Sequence, residues 1–175
     1  GIHAAPVGTV NNTGLLVEGN LIDGGPFVNS RYNRGMYIYR MGGLIQNNVI
    51  DHVSIGIQFL PHREPTGLTA QYNDIKAYSI GLYNNNQYAG SGPHKWIANT
   101  VGVAENPRGT AEMGVYLPYT TDVTFRGIHV INHGLYGGTG EPPLAEFYNN
   151  VLDGTYNPAT TVGLTETVAV RISSA

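Results

Sequence analysis

The sequence contains no cysteine, so the chain can form neither a disulfide framework nor a thiolate metal site. Charged residues make up only 12% of the chain, about half of the usual share. Lys76 and Lys95 are the only lysines and the formal net charge is −3, so binding to nucleic acid through phosphate neutralisation is not expected. No apolar run approaches eighteen residues, and no insertion into a membrane is expected either.

Glycine and tyrosine are abundant, with 24 and 12 copies, and this composition favours turns and sheets over helices. Hydrophobic residues make up 41% of 175 residues, which is enough for one sizeable core. The length is too short for two ordinary domains. We therefore expect a single all-β domain over residues 1–175.

An asparagine-centred segment recurs along the chain, and its fourth residue is Asn in five of six copies. The copies are "VEGNLID" (17–23), "IQNNVID" (45–51), "AQYNDIK" (70–76), "WIANTVG" (96–102), "FRGIHVI" (125–131) and "FYNNVLD" (147–153). Successive copies are 28, 25, 26, 29 and 22 residues apart. The residues three before and two after this position are apolar in every copy, which indicates two buried columns.

A second motif follows each copy and consists of a glycine and an apolar residue. Its members are Gly35-Met36, Gly56-Ile57, Gly81-Leu82, Gly114-Val115, Gly134-Leu135 and Gly163-Leu164. The residue before the glycine is usually apolar as well, so the apolar positions alternate as they do in a strand. This alternation predicts that the glycines face outward and leave a bare strip on the sheet.

Two short strands repeated with a period near 26 predict a solenoid, and the frequent Gly, Asn and Pro exclude helical repeats. A parallel β-helix fits best, with stacked asparagines bonded to each other at the turns and the isoleucine column filling the interior.

The pattern NxIxxxxxxGI resembles the coil signature of the right-handed parallel β-helix superfamily of pectate-lyase-like proteins. The resemblance covers nearly the whole chain and implies a right-handed parallel β-helix of about six to seven coils. That superfamily contains polysaccharide lyases, glycoside hydrolases, sugar epimerases and phage tailspikes, together with adhesins that have no activity. By the same resemblance, the outer face of the Gly-Ile strand carries a carbohydrate site. The fold does not decide among these functions.

The outward position two residues after each glycine is rich in tyrosine. It holds Tyr37, Gln58, Tyr83, Tyr116, Tyr136 and Thr165. Aromatic faces beside polar groups suit a sugar ring, so the first five are the predicted substrate-binding residues. The alternative is that the tyrosines only stack on each other and stabilise adjacent strands.

Catalysis would need further groups. Glu112 is a candidate acid or base of a glycosidase, which needs a second carboxylate such as Asp122. The resemblance suggests Lys76 as the base of a lyase, although Lys76 is also expected to pair with Asp51. No metal ligand is predicted. If the protein uses Ca²⁺, the ion would bind between Asp23 and Asp51, which are equivalent residues of successive repeats.

Several loops interrupt the repeats and could wall a groove over the tyrosines. Arg63 and Arg108 in these loops would suit an acidic sugar, and His94 is a titratable member of the same group. Arg63 and Arg108 complete the predicted substrate-binding set.

The first residues, "GIH", match a Gly-Ile entry, so the chain is expected to begin part-way through a coil. Uncovered coil ends invite pairing, so we expect a fragment, or ends covered by a neighbouring chain, as in a homotrimeric tailspike. The first functional hypothesis is an extracellular, cell-surface or virion module that binds a polysaccharide and degrades it as a lyase or glycoside hydrolase. The alternative is a structural or adhesive β-helix without catalysis.

Overall fold

The structure of the protein is a computed structural model that describes residues 1–6, 12–26, 33–61, 67–84, 92–103, 113–117, 123–126, 129–131, 134–140, 145–148, 151–153 and 170–174. From residue 103 onwards only strand positions are described, apart from the exposed Arg126. The regular elements of the described residues are all β-strands. They are β1 (Ile2–Ala4), β2 (Asn12–Glu18), β3 (Leu21–Asp23), β4 (Arg34–Tyr39), β5 (Met41–Gln46), β6 (Val49–Leu60), β7 (Leu68–Gln71), β8 (Asp74–Asn84), β9 (His94–Ile97), β10 (Thr100–Val103), β11 (Met113–Leu117), β12 (Val123–Arg126), β13 (His129–Ile131), β14 (Gly134–Gly140), β15 (Ala145–Tyr148), β16 (Val151–Asp153) and β17 (Val170–Ser174).

The strands form two sheets, and neighbouring strands within each sheet run parallel. The first sheet has eleven strands and the main order β1-β4-β6-β8-β10-β13-β16, while the second has six in the order β15-β12-β9-β7-β5-β2. The long strand β8 pairs with two later strands. Its first half pairs with β10 and its second half pairs with β11. The chain alternates between the sheets from β5 to β9, which provides the crossovers that parallel pairing requires. The all-β prediction is confirmed for the described residues.

Asparagines bond to one another at the turns that lead from the second sheet into the first. The amide nitrogen of Asn20 donates to Oδ1 of Asn48 at 2.9 Å, Asn48 donates to Asn73 at 2.9 Å, and Asn73 donates to Asn99 at 2.8 Å. Asn48, Asn73 and Asn99 are at most 1% exposed. These side chains form the predicted ladder, and we call them the asparagine ladder.

The residue before each ladder asparagine has a left-handed backbone conformation. These residues are Gly19, Asn47, Tyr72 and Ala98, with φ angles of 66°, 55°, 55° and 50°. Glycine and asparagine adopt this conformation readily, whereas other residues pay about 1 kcal/mol or more for it. Only one of the four is glycine, so the repeat pattern did not predict this feature.

The apolar columns of the repeat form the core. Ile22, Ile50, Ile75 and Val101 are register partners on adjacent strands, and all four are buried. In the second sheet Val17, Ile45, Ala70 and Trp96 are aligned in the same way. Burial of each large apolar side chain contributes about 1.5–3 kcal/mol, so these columns hold adjacent strands together.

Gly35 and Gly56 do not face outward, so the prediction of a bare glycine strip is wrong at these two positions. A Cβ at Gly35 would lie 2.7 Å from the carbonyl oxygen of Gly56 and would clash with Cγ2 of Ile50. A Cβ at Gly56 would meet Gly81 and Ile75 in the same way. A side chain at either position would therefore point at the next strand instead of at solvent. This contact explains why glycine and isoleucine recur together.

Candidate functional site

The tyrosine positions lie next to each other on adjacent strands of the first sheet. The register pairs His3 with Tyr37, Tyr37 with Gln58, Gln58 with Tyr83, Tyr83 with Tyr116, and Tyr116 with Tyr136. We call these six residues the tyrosine column. Thr165 lies outside the described residues, and the strand position next to Tyr136 is occupied by Arg171.

Tyr37 is half-buried and contacts two cationic or titratable side chains. The His3 ring meets the Tyr37 ring edge to face at 4.9 Å between centroids, and Cζ of Arg34 lies 4.7 Å from the centre of the Tyr37 ring. A guanidinium over a tyrosine ring is a cation–π pair. His3 could have been found from the sequence, because it follows Gly1-Ile2 as Tyr37 follows Gly35-Met36. Arg34 could not, because the repeat places an apolar residue at that position.

Gln58 interrupts the aromatic side chains of the column. It is only 6% exposed, although strand alternation predicts that it faces solvent. Within the described part of the chain, its Oε1 atom is buried and has no hydrogen-bond partner. Tyr37 and Tyr83, on either side, are each partly exposed. At this register position Tyr37 and Tyr83 expose part of their side chains, whereas Gln58 is buried.

Lys76 lies away from the tyrosine column. It belongs to the half of β8 that pairs with β10, whereas Tyr83 belongs to the half that pairs with β11. Its Nζ atom is 3.9 Å from Oδ2 of Asp51, which is the expected ion pair between adjacent strands. The Lys76 side chain is 54% exposed, so the pair contributes less than about 1 kcal/mol.

The Asp23–Asp51 step is bridged by a histidine. Nδ1 of His52 lies 3.5 Å from Oδ1 of Asp23 and 3.3 Å from Oδ1 of Asp51. Asp23 and Asp51 are register partners, and like charges directly opposite each other are unfavourable. Hydrogen bonds from the backbone N–H groups of Gly25 and His52 to these oxygens offset part of that repulsion. Among the described residues, no group of three or more His, Cys, Asp or Glu side chains could hold a metal ion.

His94 is a core residue and not a loop cation. It is the first residue of β9 and is fully buried, with its ring 4.8 Å from that of Phe59. Its Nδ1 atom accepts a hydrogen bond from the Leu68 backbone N–H at 3.4 Å. Burial lowers the pKa of His94 from 6.5 to about 4, so the imidazole is neutral near pH 7.

Four of the predicted site residues lie outside the described residues: Glu112, Asp122, Arg63 and Arg108. For Tyr116 and Tyr136 the strand position is described and the side chain is not. The described geometry therefore brings together the members of the tyrosine column and separates Lys76 from them.

No protein-family model, curated protein or solved structure matches this chain. In the described ranges there is no helix of the length and apolarity that a membrane span needs.

Proposed function

We propose that the chain folds as a right-handed parallel β-helix of about six to seven coils and binds a polysaccharide along its tyrosine column. The fold proposal is supported by parallel pairing in both sheets and by the alternation of the chain between them. It is also supported by ladder bonds between residues 28, 25 and 26 positions apart, which match the repeat. Residues 1–175 would then be one β-helix domain.

The observation that carries the proposed function is the tyrosine column. Tyr83, Tyr116 and Tyr136 occupy the same register position on three neighbouring strands. Adjacent strands are about 4.8 Å apart, so the three positions span roughly 10 Å. A tyrosine at each position supplies an aromatic ring that suits the C–H side of a sugar and a hydroxyl group that suits its polar edge.

The end of the column at His3 offers cationic contacts. Arg34 lies over the Tyr37 ring, and its guanidinium group is a donor that suits a carboxylate or sulfate on a sugar. Arg63 and Arg108 are further candidates for this role from the sequence. An acidic polysaccharide is therefore compatible with this end of the column.

Binding is better supported than catalysis. Lys76 is paired with Asp51 and lies in the other half of β8, so a lyase reaction on the tyrosine column would need a different base. Glu112 remains the candidate acid or base of a hydrolase because it comes directly before β11, which carries Tyr116. Its predicted partner is Asp122. Ca²⁺ would be needed only if the reaction is that of a lyase.

The first experiment measures binding of neutral and acidic polysaccharides, together with new reducing ends and unsaturated-uronate absorbance. The test variant carries Tyr83→Ala and Tyr116→Ala, and the matched control carries Tyr83→Phe and Tyr116→Phe. We expect the alanine variant to fold and to lose affinity by about thirtyfold, because ring stacking contributes about 1 kcal/mol per pair and two rings are removed. The phenylalanine variant should keep most of the affinity. A wild-type protein that binds no member of the panel would refute the proposal. Reducing ends without absorbance would indicate a hydrolase and make Glu112→Gln the next variant.

A structural or adhesive module is the second candidate. The edge-to-face contact of His3 with Tyr37 favours it, because this contact joins two adjacent strands without any ligand. Such a module would assemble as a homotrimer or with a neighbouring chain, at a cell surface or on a virion. In that case the alanine variant would lower the melting temperature or the oligomer mass measured by light scattering, with no glycan affinity to lose.

A further inference from the structure

Tyr72 occupies a backbone position that disfavours tyrosine. Tyr72 has the left-handed conformation that precedes each ladder asparagine. The equivalent residue is Asn47 in the preceding turn and Ala98 in the following turn. The backbone N–H of Asn47 donates to the Gln71 carbonyl, and that of Tyr72 donates to the Ile97 carbonyl, so consecutive turns are stacked. Glycine or asparagine would satisfy this turn without strain.

Burial does not account for Tyr72 either. The residue is 56% exposed, so its ring gains little from packing in the folded chain. Residues with strained backbone conformations cluster at active sites and ligand-binding sites. Tyr72, which is strained and exposed, is therefore a candidate ligand contact.

Next to Tyr72 in the sequence, Gln71 begins a hydrogen-bonded row of two amides and one carboxylate on the second sheet. Nε2 of Gln71 donates to Oε1 of Gln46 at 2.8 Å, and Nε2 of Gln46 donates to Oε1 of Glu18 at 2.6 Å. Each amide nitrogen carries two N–H groups, and each glutamine uses one of them in this row. The second N–H group of each glutamine can serve a ligand. In the next turn the equivalent position is Ala98, whose side chain is a single methyl group.

We propose that Tyr72, Gln46 and Gln71 form a second glycan-binding surface. An exposed aromatic ring supplies the face for the C–H side of a sugar, and the ordered amides supply donors for its hydroxyl oxygens. This surface lies at the turn between the second sheet and the first half of β8, whereas the tyrosine column crosses the second half of β8. The inference rests on the ligand class of the proposed function and uses a different part of the molecule.

The experiment compares Tyr72→Asn with Ala98→Gly. Both substitutions relieve the left-handed strain, so both should raise the melting temperature, by about 2–4 °C. Affinity is measured by calorimetry with hexasaccharides of a neutral glucan, of N-acetylglucosamine and of a polyuronate. We expect Tyr72→Asn to weaken binding of at least one hexasaccharide by about fivefold or more, and Ala98→Gly to leave it unchanged.

The results separate the two surfaces. Unchanged affinity in Tyr72→Asn, with loss in the Tyr83→Ala and Tyr116→Ala variant, would overturn this inference and retain the tyrosine column. Loss in Tyr72→Asn alone would support this surface and count against the column. Equal loss in Tyr72→Asn and Ala98→Gly would show an effect of the turn and overturn the inference. A fall in the melting temperature of Tyr72→Asn would also overturn it, because the ring would then be a packing element. If the wild-type protein binds none of the three hexasaccharides, the inference fails.

Discussion

Replacement of Asn73 by alanine tests the asparagine ladder. The Asn73 side chain makes four hydrogen bonds: Oδ1 accepts from N and Nδ2 of Asn48, and Nδ2 donates to Asn99 and to the Ile45 carbonyl. Each bond contributes about 1 kcal/mol net, and the Asn48 backbone N–H loses its acceptor in a buried place. We therefore expect Asn73→Ala to lower the free energy of unfolding by about 4 kcal/mol. For a chain of this length that corresponds to a fall of roughly 8–16 °C in melting temperature.

Asn20→Ala is the matched control because Asn20 stands at the end of the described ladder. Its side chain donates to Asn48 and to the exposed Glu18 carbonyl and accepts no bond from another ladder side chain. Its loss should cost about 1 kcal/mol. Urea unfolding of both variants measures the difference, and the m-value shows whether the repeat still unfolds cooperatively. If Asn73→Ala costs no more than Asn20→Ala, the ladder does not stabilise the stack in the way argued here.

Three further predictions concern the core. Gly56→Ala should destabilise the protein by about 2 kcal/mol or more in urea unfolding, because the added Cβ would meet Gly81 and Ile75. Gly102→Ala should be near neutral, because the atom nearest to its added Cβ is 3.8 Å away. Equal effects would contradict the close contact at Gly56. Stability should be complete above about pH 6.5 and fall by up to about 3 kcal/mol as the pH approaches 4, because burial lowers the pKa of His94 to about 4 and the folded state resists protonation. In His94→Asn, whose Oδ1 replaces Nδ1 as acceptor, thermal melts between pH 6.5 and 4 should show a smaller slope, and an unchanged slope would refute this cause. Asn84→Leu should raise the melting temperature and increase the free energy of unfolding by about 1–2 kcal/mol. The reason is that, within the described residues, neither amide atom of the fully buried Asn84 has a hydrogen-bond partner. Asn48→Leu, the same change inside the ladder, should lower the melting temperature.

The sequence predicts the columns in which residue identity repeats. Asn48 and Asn73 recur because each side chain must both accept and donate within the ladder, and only an amide does so in this geometry. Ile50 and Ile75 recur because the same interior space is filled in each repeat. The left-handed turn escaped prediction because Tyr72 and Ala98 carry no glycine signal. The geometry of that turn is set by backbone hydrogen bonds and the ladder, and not by the residue that adopts it.

Alternation fails within β6, and this failure affects how the candidate site is interpreted. Counting outward positions by twos assumes a straight strand, but β6 has seven consecutive buried residues, from Val53 to Phe59. The register of β6 against β8 also shifts on both sides of Val53. Gln58 follows Gly56 by two and is nevertheless buried, and a Cβ at Gly56 would meet the next strand. Tyr37 and Tyr83 keep partial exposure at the same register position on the flanking strands. A ligand on this face would contact the tyrosines on both sides of the buried Gln58. We therefore expect Gln58→Ala to change the free energy of unfolding more than the affinity for the ligand. Tyr83→Ala should change the affinity more than the free energy of unfolding.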